Sequence, residues 1–223
     1  MSTTDVRVVA FDCDGVLFET LEANRQYYDH MLQQFGLPRM TPEQLQFSHS
    51  HTVDQVFAHL FADEAVRAAA HAFRRTVDYG QFLKYLTIEP DLLSLLNWMA
   101  GRYKRAIATN RTDTMPRLMR EFDLRDRFDM VVTSLDVERP KPFPDPLLKI
   151  MRSFGAAPHQ MLFVGDSEID QRTADAAEVP FVAYRNPGLA ARHHIRALGE
   201  LRQLLTGVAD PAESADPAET RRT

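Results

Sequence analysis

Five short apolar segments are the clearest pattern in the chain. They are rich in Val, Ile and Phe, too short for helices, and nearly continuous rather than alternating: Val6–Phe11, Arg105–Thr109, Met130–Thr133, Met161–Val164 and Phe181–Tyr184. Continuous runs of this length are typical of strands covered on both faces, as in a parallel sheet. We therefore predict five buried strands.

Segments with apolar residues at helical spacing lie between these strands. One runs from Leu92 to Met99, with Pro90 before it and Gly101 after it, and others begin near Leu118, Pro146 and Ala174. Alternating strands and helices with short links predict an α/β fold, a Rossmann-like, doubly wound parallel sheet.

More than ninety residues without a convincing strand separate the first two predicted strands. This stretch has an amphipathic stripe ended by Gly36, capping boxes beginning at Thr41 and Thr52, and an Ala-rich helical segment from Asp63 to Tyr79. We predict an inserted helical domain over residues 18–86, whose aromatic residues form its own core. The core domain then comprises residues 1–17 and 87–206.

The C-terminal segment changes character after Gly207. Ala-Asp-Pro-Ala-Glu occurs at 209–213 and again at 215–219, with almost no large apolar residues nearby. Such a composition cannot offset the entropy lost on ordering. We expect a disordered tail over residues 207–223.

Composition narrows the class of protein. Of the 223 residues, 44% are hydrophobic and 26% charged, and the net charge of −5 disfavours a basic nucleic-acid binder. Cys13 is the only cysteine, which excludes an intrachain disulfide. No apolar run approaches the ~18 residues of a membrane span, and residues 1–9 do not resemble a leader peptide. We expect a cytoplasmic protein, monomer or homodimer, with no membrane or nucleic-acid partner.

Polar and charged residues suited to catalysis or ligand binding follow the predicted strands. Because ligands bind at the carboxyl ends of parallel strands, these side chains should meet at one edge. They are Asp12 and Asp14 after the first strand, Thr109 and Asn110 at the second, Lys141 after the third, and Asp166 and Asp170 after the fourth.

This group carries an excess of negative charge. Its four aspartates and Lys141 give a formal charge of −3. Two like charges about 4 Å apart repel by roughly 4 kcal/mol at an effective dielectric constant near 20. A divalent cation would relieve this repulsion, and oxygen ligands with open positions suit Mg²⁺. No His/Cys pattern indicates zinc.

Four motifs resemble those of the haloacid dehalogenase superfamily, in the family's order. They are Phe-Asp-Cys-Asp-Gly-Val-Leu at 11–17, Thr-Asn at 109–110, Lys-Pro at 141–142 and Gly-Asp-Ser-Glu-Ile-Asp at 165–170. The resemblance extends from Val6 to about Tyr184, with the insertion where the family has a helical cap. Within the family, the chain resembles the phosphoglycolate-phosphatase-like branch.

The resemblance implies a role for each residue. Asp12 resembles the nucleophile that forms an aspartyl-phosphate, and Asp14 the general acid and base, for which neighbouring carboxylates should raise the pKa. Thr109 and the backbone N–H of Asn110 would hold phosphoryl oxygens, and Lys141 would neutralise charge. The implied Mg²⁺ ligands are Asp12, the backbone carbonyl of Asp14, and Asp166, with Asp170 as a ligand or as a partner of ligands.

The expected activity is Mg²⁺-dependent hydrolysis of a small phosphorylated metabolite. The family's dehalogenases usually lack an acid at the position of Asp14, which favours phosphate chemistry. Its sugar-phosphate mutases usually have a histidine early in the cap, where this chain has Asn24. A mutase and a non-catalytic module that binds a phosphorylated ligand or partner remain alternatives.

Specificity is expected to reside in the cap. The polar stretch 47–52 contains His49 and His51, and a solvated loop is favoured over contact with the substrate's leaving group. Contact of Arg111 with phosphate or cap is likewise the less favoured interpretation. Hinges for cap closure are predicted near Val16–Glu19 and Tyr85–Glu89.

Overall fold

A parallel sheet forms the centre of the protein, for which the computed structural model describes residues 5–207. The strands in chain order are β1 (Val8–Phe11), β2 (Phe18–Glu19), β3 (Thr87–Ile88), β4 (Lys104–Ala108), β5 (Met130–Val132), β6 (Met161–Gly165), β7 (Phe181–Tyr184) and β8 (His193–Ile195). Within this range, six of them form one parallel sheet in the order β5-β4-β1-β6-β7-β8. The predicted α/β class is confirmed.

Helices occupy the connections between the strands. In chain order they are α1 (Leu21–Gln34), α2 (Pro42–Ser50), α3 (Val53–Leu60), α4 (Glu64–Arg74), α5 (Leu92–Met99), α6 (Met115–Glu121), α7 (Asp145–Phe154), α8 (Glu168–Ala176) and α9 (Leu201–Thr206). None of the helices within residues 5–207 is long and apolar enough to span a lipid bilayer.

The sheet is covered on both faces. Successive strand residues point to opposite sides, so Val9 and Phe11 belong to one apolar cluster with α5, α6 and α9. Val8 and Ala10 belong to another with α7 and α8. The strand order reverses beside β1, because the chain places β4 and β5 on one side of it and β6 to β8 on the other. Such a reversal opens a crevice at the carboxyl ends of the strands.

The edge strand β8 was not predicted from the sequence. It has three residues, and only Ile195 among them is buried, since His193 and His194 face partly into solvent. A short, polar edge strand therefore lacks the continuous apolar run that identifies the inner strands.

The helical segment between β2 and β3 has its own apolar core. Buried side chains from its helices, among them Tyr28, Met31, Phe57 and Phe82, pack together in a third cluster. Both predicted capping boxes are present, at the start of α2 and of α3. The helix predicted to reach Tyr79 instead ends at Arg74, and a 3₁₀ helix follows over Tyr79–Tyr85.

β2 and β3 pair with each other where the chain enters and leaves this segment. Phe18 lies opposite Ile88, and Glu19 lies opposite Thr87, in an antiparallel pair. The predicted domain boundaries at 17/18 and 86/87 fall at this pair and stay a prediction. The predicted tail lies outside the described residues, except for Gly207.

Candidate active site

The loop after β1 brings two buried aspartates to the sheet edge. The backbone N–H of Asp12 donates to the carbonyl of Val164 at 2.9 Å, which continues the pairing of β1 with β6. Gly15 turns the chain with a φ of 80°, and a Cβ there would lie 2.0 Å from Oδ2 of Asp166. Glycine suits this position, because it adopts the left-handed backbone without strain and leaves room for the side-chain ends of Asp166 and His49.

Lys141 lies between two aspartates in the interior. Its Nζ is 2.7 Å from Oδ1 of Asp12 and 2.6 Å from Oδ1 of Asp170. Lys141 is 2% exposed and Asp170 is fully buried, so the ion pairs are shielded from water. Burial opposes the charge on Lys141, but Asp12 and Asp170 outweigh it and raise its pKa. Lys141 is therefore a charged ammonium.

Asp170 already uses both carboxylate oxygens. Oδ1 pairs with Lys141, and Oδ2 accepts from the backbone N–H of Ser167 at 3.2 Å and from its hydroxyl at 2.5 Å. Of the two roles left open for Asp170, this geometry favours positioning Lys141 over binding a metal directly.

Three carboxylates nevertheless form a compact oxygen cluster. One oxygen from each of Asp12, Asp166 and Asp170 lies within 4.8 Å of the others. Oδ1 of Asp166 is buried without a hydrogen-bond partner in the described part of the chain. Burial and the Asp170 charge, opposed by Lys141, raise the pKa of Asp12 to about 8, and burial also raises that of Asp166. This donor set fits a hard divalent cation, which would stabilise the ionised carboxylates.

The carboxylate of Asp14 pairs with Arg111. Nε of Arg111 donates to Oδ2 at 2.8 Å, and Nη2 donates to Oδ1 at 2.6 Å. Burial alone would raise the pKa of Asp14, but the Arg111 charge and its hydrogen bonds outweigh burial and lower it. The predicted rise in the pKa of Asp14 is therefore wrong. That prediction considered only the neighbouring carboxylates and not the charge of Arg111.

Thr109 and Asn110 lie in the loop after β4. The N–H of Thr109 donates to Val132 at 3.0 Å, and its hydroxyl accepts from the N–H of Arg111 at 3.1 Å. The Asn110 amide donates to the carbonyl of Ser50 at 2.9 Å and to that of Lys141 at 3.1 Å. This one side chain therefore connects the β4 loop to the Lys141 loop and to the helical segment.

His49 reaches the sheet edge from α2, so the solvated-loop interpretation is wrong for it. Its Nε2 lies 3.1 Å from Oδ2 of Asp166, and its side chain is 11% exposed. Burial opposes protonation, but the bond to Asp166 and nearby acids raise the pKa of His49 to about 9. His51 lines the same cavity as Asp12 and Asp14, stacks on Phe47 at 3.7 Å between ring centroids and bonds to its carbonyl at 2.8 Å.

These residues surround a small cavity of about 60 Å³ between the sheet edge and the helical segment. Asp12, Asp14, Thr109, Asn110 and Lys141 line it from the sheet. The opposite wall includes Asn24, Tyr28, Ser48, His49, Arg74 and Tyr79. Asp166 borders an adjacent opening, with Gly15 and His49. The predicted strand-end residues thus meet at one place.

Two arginines are more important to the site than the sequence predicted: Arg74 was not singled out, and contact of Arg111 with the site was the less favoured interpretation. Arg111 bonds to Asp14 and, through Nη1, to the Tyr79 hydroxyl at 3.0 Å. Arg74, at the end of α4, makes hydrogen bonds of 2.8 to 2.9 Å with Asp113. The available signal was the position of Arg111, one residue past a predicted strand-end motif.

Comparison with known proteins shows the family of this chain. Residues 9–184 match the family model of haloacid dehalogenase-like hydrolases. The chain belongs to the haloacid dehalogenase-like hydrolase family. A relative from Escherichia coli strain K12, named phosphoglycolate phosphatase, is 30% identical over 80% of this chain and 81% of its own length.

Two solved structures illustrate the shared fold. A haloacid dehalogenase-superfamily hydrolase of subfamily IA, variant 1, from Geobacter sulfurreducens is 35% identical, covers 92% of this chain and 98% of its own, and has a TM-score of 0.75. A β-phosphoglucomutase from Clostridium difficile has a TM-score of 0.78 at 13% identity, covering 91% of this chain and 98% of its own. The latter likeness shows the fold alone.

Proposed function

We propose that this hydrolase is a Mg²⁺-dependent phosphatase of a small phosphorylated metabolite, similar in activity to its phosphoglycolate phosphatase relatives. The observation that carries the proposal is the buried arrangement of Lys141 between Asp12 and Asp170, with Asp166 in the same oxygen cluster. Such a concentration of acids around one ammonium is suited to hold a cation and a phosphate dianion together.

In the first step, a carboxylate oxygen of Asp12 attacks phosphorus and forms the aspartyl-phosphate. The bond from phosphorus to the ester oxygen breaks, and Asp14 gives its proton to that oxygen, so that an alcohol leaves. Lys141, at 2.7 Å from Asp12, stabilises the charge that gathers on the phosphoryl group.

In the second step, water attacks phosphorus and the bond to Asp12 breaks. Asp14, now ionised, accepts a proton from that water, and inorganic phosphate leaves. Thr109 and the N–H of Asn110 hold phosphoryl oxygens in both steps. The low pKa of Asp14 in its pair with Arg111 suits the base of this second step; the acid of the first step requires that the pair open.

Asp12, Asp166 and the backbone carbonyl of Asp14 would hold the Mg²⁺, with Asp170 positioning Lys141. When bound, Mg²⁺ supplies charge neutralisation for the phosphoryl group and for the acidic cluster. The helical segment acts as a cap, which excludes bulk water and restricts access to small substrates.

A screen of phosphate release tests the proposal. Pure protein with Mg²⁺ should release inorganic phosphate from at least one ester among 2-phosphoglycolate, sugar phosphates and nucleoside monophosphates. Conversion of a sugar phosphate to its isomer without phosphate release would favour a mutase, against which Asn24 in the cavity wall argues. Inactivity on the whole panel would favour a non-catalytic binding module.

A further inference from the structure

The pair between Asp14 and Arg111 must open during catalysis. Both carboxylate oxygens of Asp14 accept from Arg111, at 2.6 and 2.8 Å. Proton transfer needs one of these oxygens at the leaving oxygen of the ester. While both of its oxygens accept from the guanidinium, Asp14 cannot also transfer a proton to the leaving oxygen.

Arg111 is held in place independently of Asp14. Its Nη1 donates to the Tyr79 hydroxyl at 3.0 Å and to the Thr114 hydroxyl at 3.4 Å, and its backbone N–H donates to Thr109. The residue is 9% exposed. When Asp14 swings to the ester, the Nε and Nη2 edge of Arg111 therefore stays in the cavity wall. A buried guanidinium without an anion is strongly unfavourable, so another anion must replace Asp14.

We propose that Arg111 is a specificity-determining residue that binds a carboxylate in the substrate's leaving group, in exchange for Asp14. This inference rests on the proposed phosphatase function and defines its substrate class as small phosphate esters with a carboxylate near the ester oxygen. The planar Nε and Nη2 edge matches two carboxylate oxygens, which is the arrangement it already makes with Asp14.

The position of Arg111 distinguishes it from the other arginine of the cavity. Arg74 also lines the cavity, but its partner Asp113 lies outside the cavity lining, half exposed. Arg74 can therefore keep its partner during turnover. The partner of Arg111 is itself a cavity residue with a part in the reaction, so Arg111 is the cation whose pairing must change.

Two esters of similar size test the exchange. The rate of phosphate release with Mg²⁺ is measured for 2-phosphoglycolate and for 2-hydroxyethyl phosphate, in which a hydroxymethyl group replaces the carboxylate. We expect kcat/KM to favour the carboxylate ester by about 100-fold, as for a hydrogen-bonded charge pair. Arg111→Lys should reduce the preference to about tenfold, because an ammonium lacks the two parallel N–H donors of a guanidinium. Arg111→Gln should abolish the preference by lowering kcat/KM for 2-phosphoglycolate more than for 2-hydroxyethyl phosphate, because loss of the pair with Asp14 affects both esters alike.

The matched control is Arg74→Gln, which should leave the preference unchanged. A merely structural role for Arg111 would lower kcat/KM for both esters by the same factor. Because Arg111→Gln leaves Asp14 unpaired and could impair folding, a second variant measures the exchange by binding. In Asp14→Asn, the internal competitor for Arg111 is weakened. Calorimetry should then show the affinity for 2-phosphoglycolate rising about tenfold more than that for 2-hydroxyethyl phosphate.

The outcomes separate this inference from the proposed function. Equal kcat/KM for the two esters in the unmodified protein, or an equal loss for both in Arg111→Gln, overturns the inference and leaves the phosphatase function standing. Absence of phosphate release from every ester overturns the proposed function, and the inference fails with it.

Discussion

The two walls of the cavity are built in different ways. The wall at the sheet edge consists of residues that directly follow paired strands, such as Asp12, whose N–H continues the β1–β6 ladder. The opposite wall consists of side chains from helices that contact the sheet edge through a few polar bonds, such as Asn110 to Ser50 and Arg111 to Tyr79. In our proposals, the first wall holds the phosphoryl group and, through Arg111, the leaving group, whereas the second wall closes the cavity over them.

This difference explains what could be predicted from the sequence. The parallel strands bring Asp12 and Asp166 to one edge whatever their connections do, so the position of each directly after a strand was sufficient. Lys141 lies in the longer loop after β5, and its motif, not its distance from a strand, predicted its place. His49 needed the rotation of α2 against the sheet, and Arg111 needed the direction of one side chain. Neither follows from hydrophobic spacing, which gives the apolar face of a helix but not the orientation of its side chains against the neighbouring element.

The largest expected effect concerns the wall at the sheet edge. Asp12→Asn should reduce phosphate release by about 10⁴-fold or more, since it removes the proposed nucleophile. The fold should remain, because the amide has nearly the same shape, and thermal melting checks this. Substantial turnover by the folded variant would refute the nucleophile assignment.

A second prediction concerns Gly15, beside the acidic cluster. Gly15→Ala should abolish measurable Mg²⁺ binding in calorimetry, because the new Cβ displaces the carboxylate of Asp166. The matched control is Gly36→Ala, which has a similar φ of 67° but no described atom within 4 Å of the added Cβ. Both variants pay about 1 kcal/mol of backbone strain. Equal Mg²⁺ affinities in the two variants would exclude Asp166 from the metal site.

The acidic cluster also predicts a pH dependence of stability. In metal-free protein, the pKa of Asp12 is about 8 instead of 3.8, and that of His49 is about 9 instead of 6.5. Both groups bind protons more tightly when folded, so their stabilising contribution is lost as pH rises through the folded pKa values. The free energy of unfolding should fall by about 3 kcal/mol from pH 6.5 to 8, with roughly equal contributions from Asp12 and His49.

Chemical denaturation with and without Mg²⁺ measures this dependence. Saturating Mg²⁺ should flatten the decline, since it stabilises the ionised form of Asp12. A metal-free protein that becomes more stable as pH rises through this window would contradict the assigned environment of the cluster.

The smallest expected effect comes from the helical wall. His49→Gln should strengthen Mg²⁺ binding by a factor of about three to ten, because a neutral amide competes less with the cation for Asp166 than a protonated imidazole does. His59→Gln, on α3, is the control for loss of a histidine from the helical segment, and no change in Mg²⁺ affinity is expected. Weaker Mg²⁺ binding in His49→Gln would instead indicate that His49 supports the metal site.

The proposed nucleophile is tested most directly by quenching the enzyme with acid during turnover of a phosphate ester with Mg²⁺ and analysing its peptides by mass spectrometry. One added phosphoryl group is expected on the peptide that contains Asp12, at that carboxylate. Rapid turnover with Asp12 unmodified, or a phosphoryl group on another residue, would contradict this assignment.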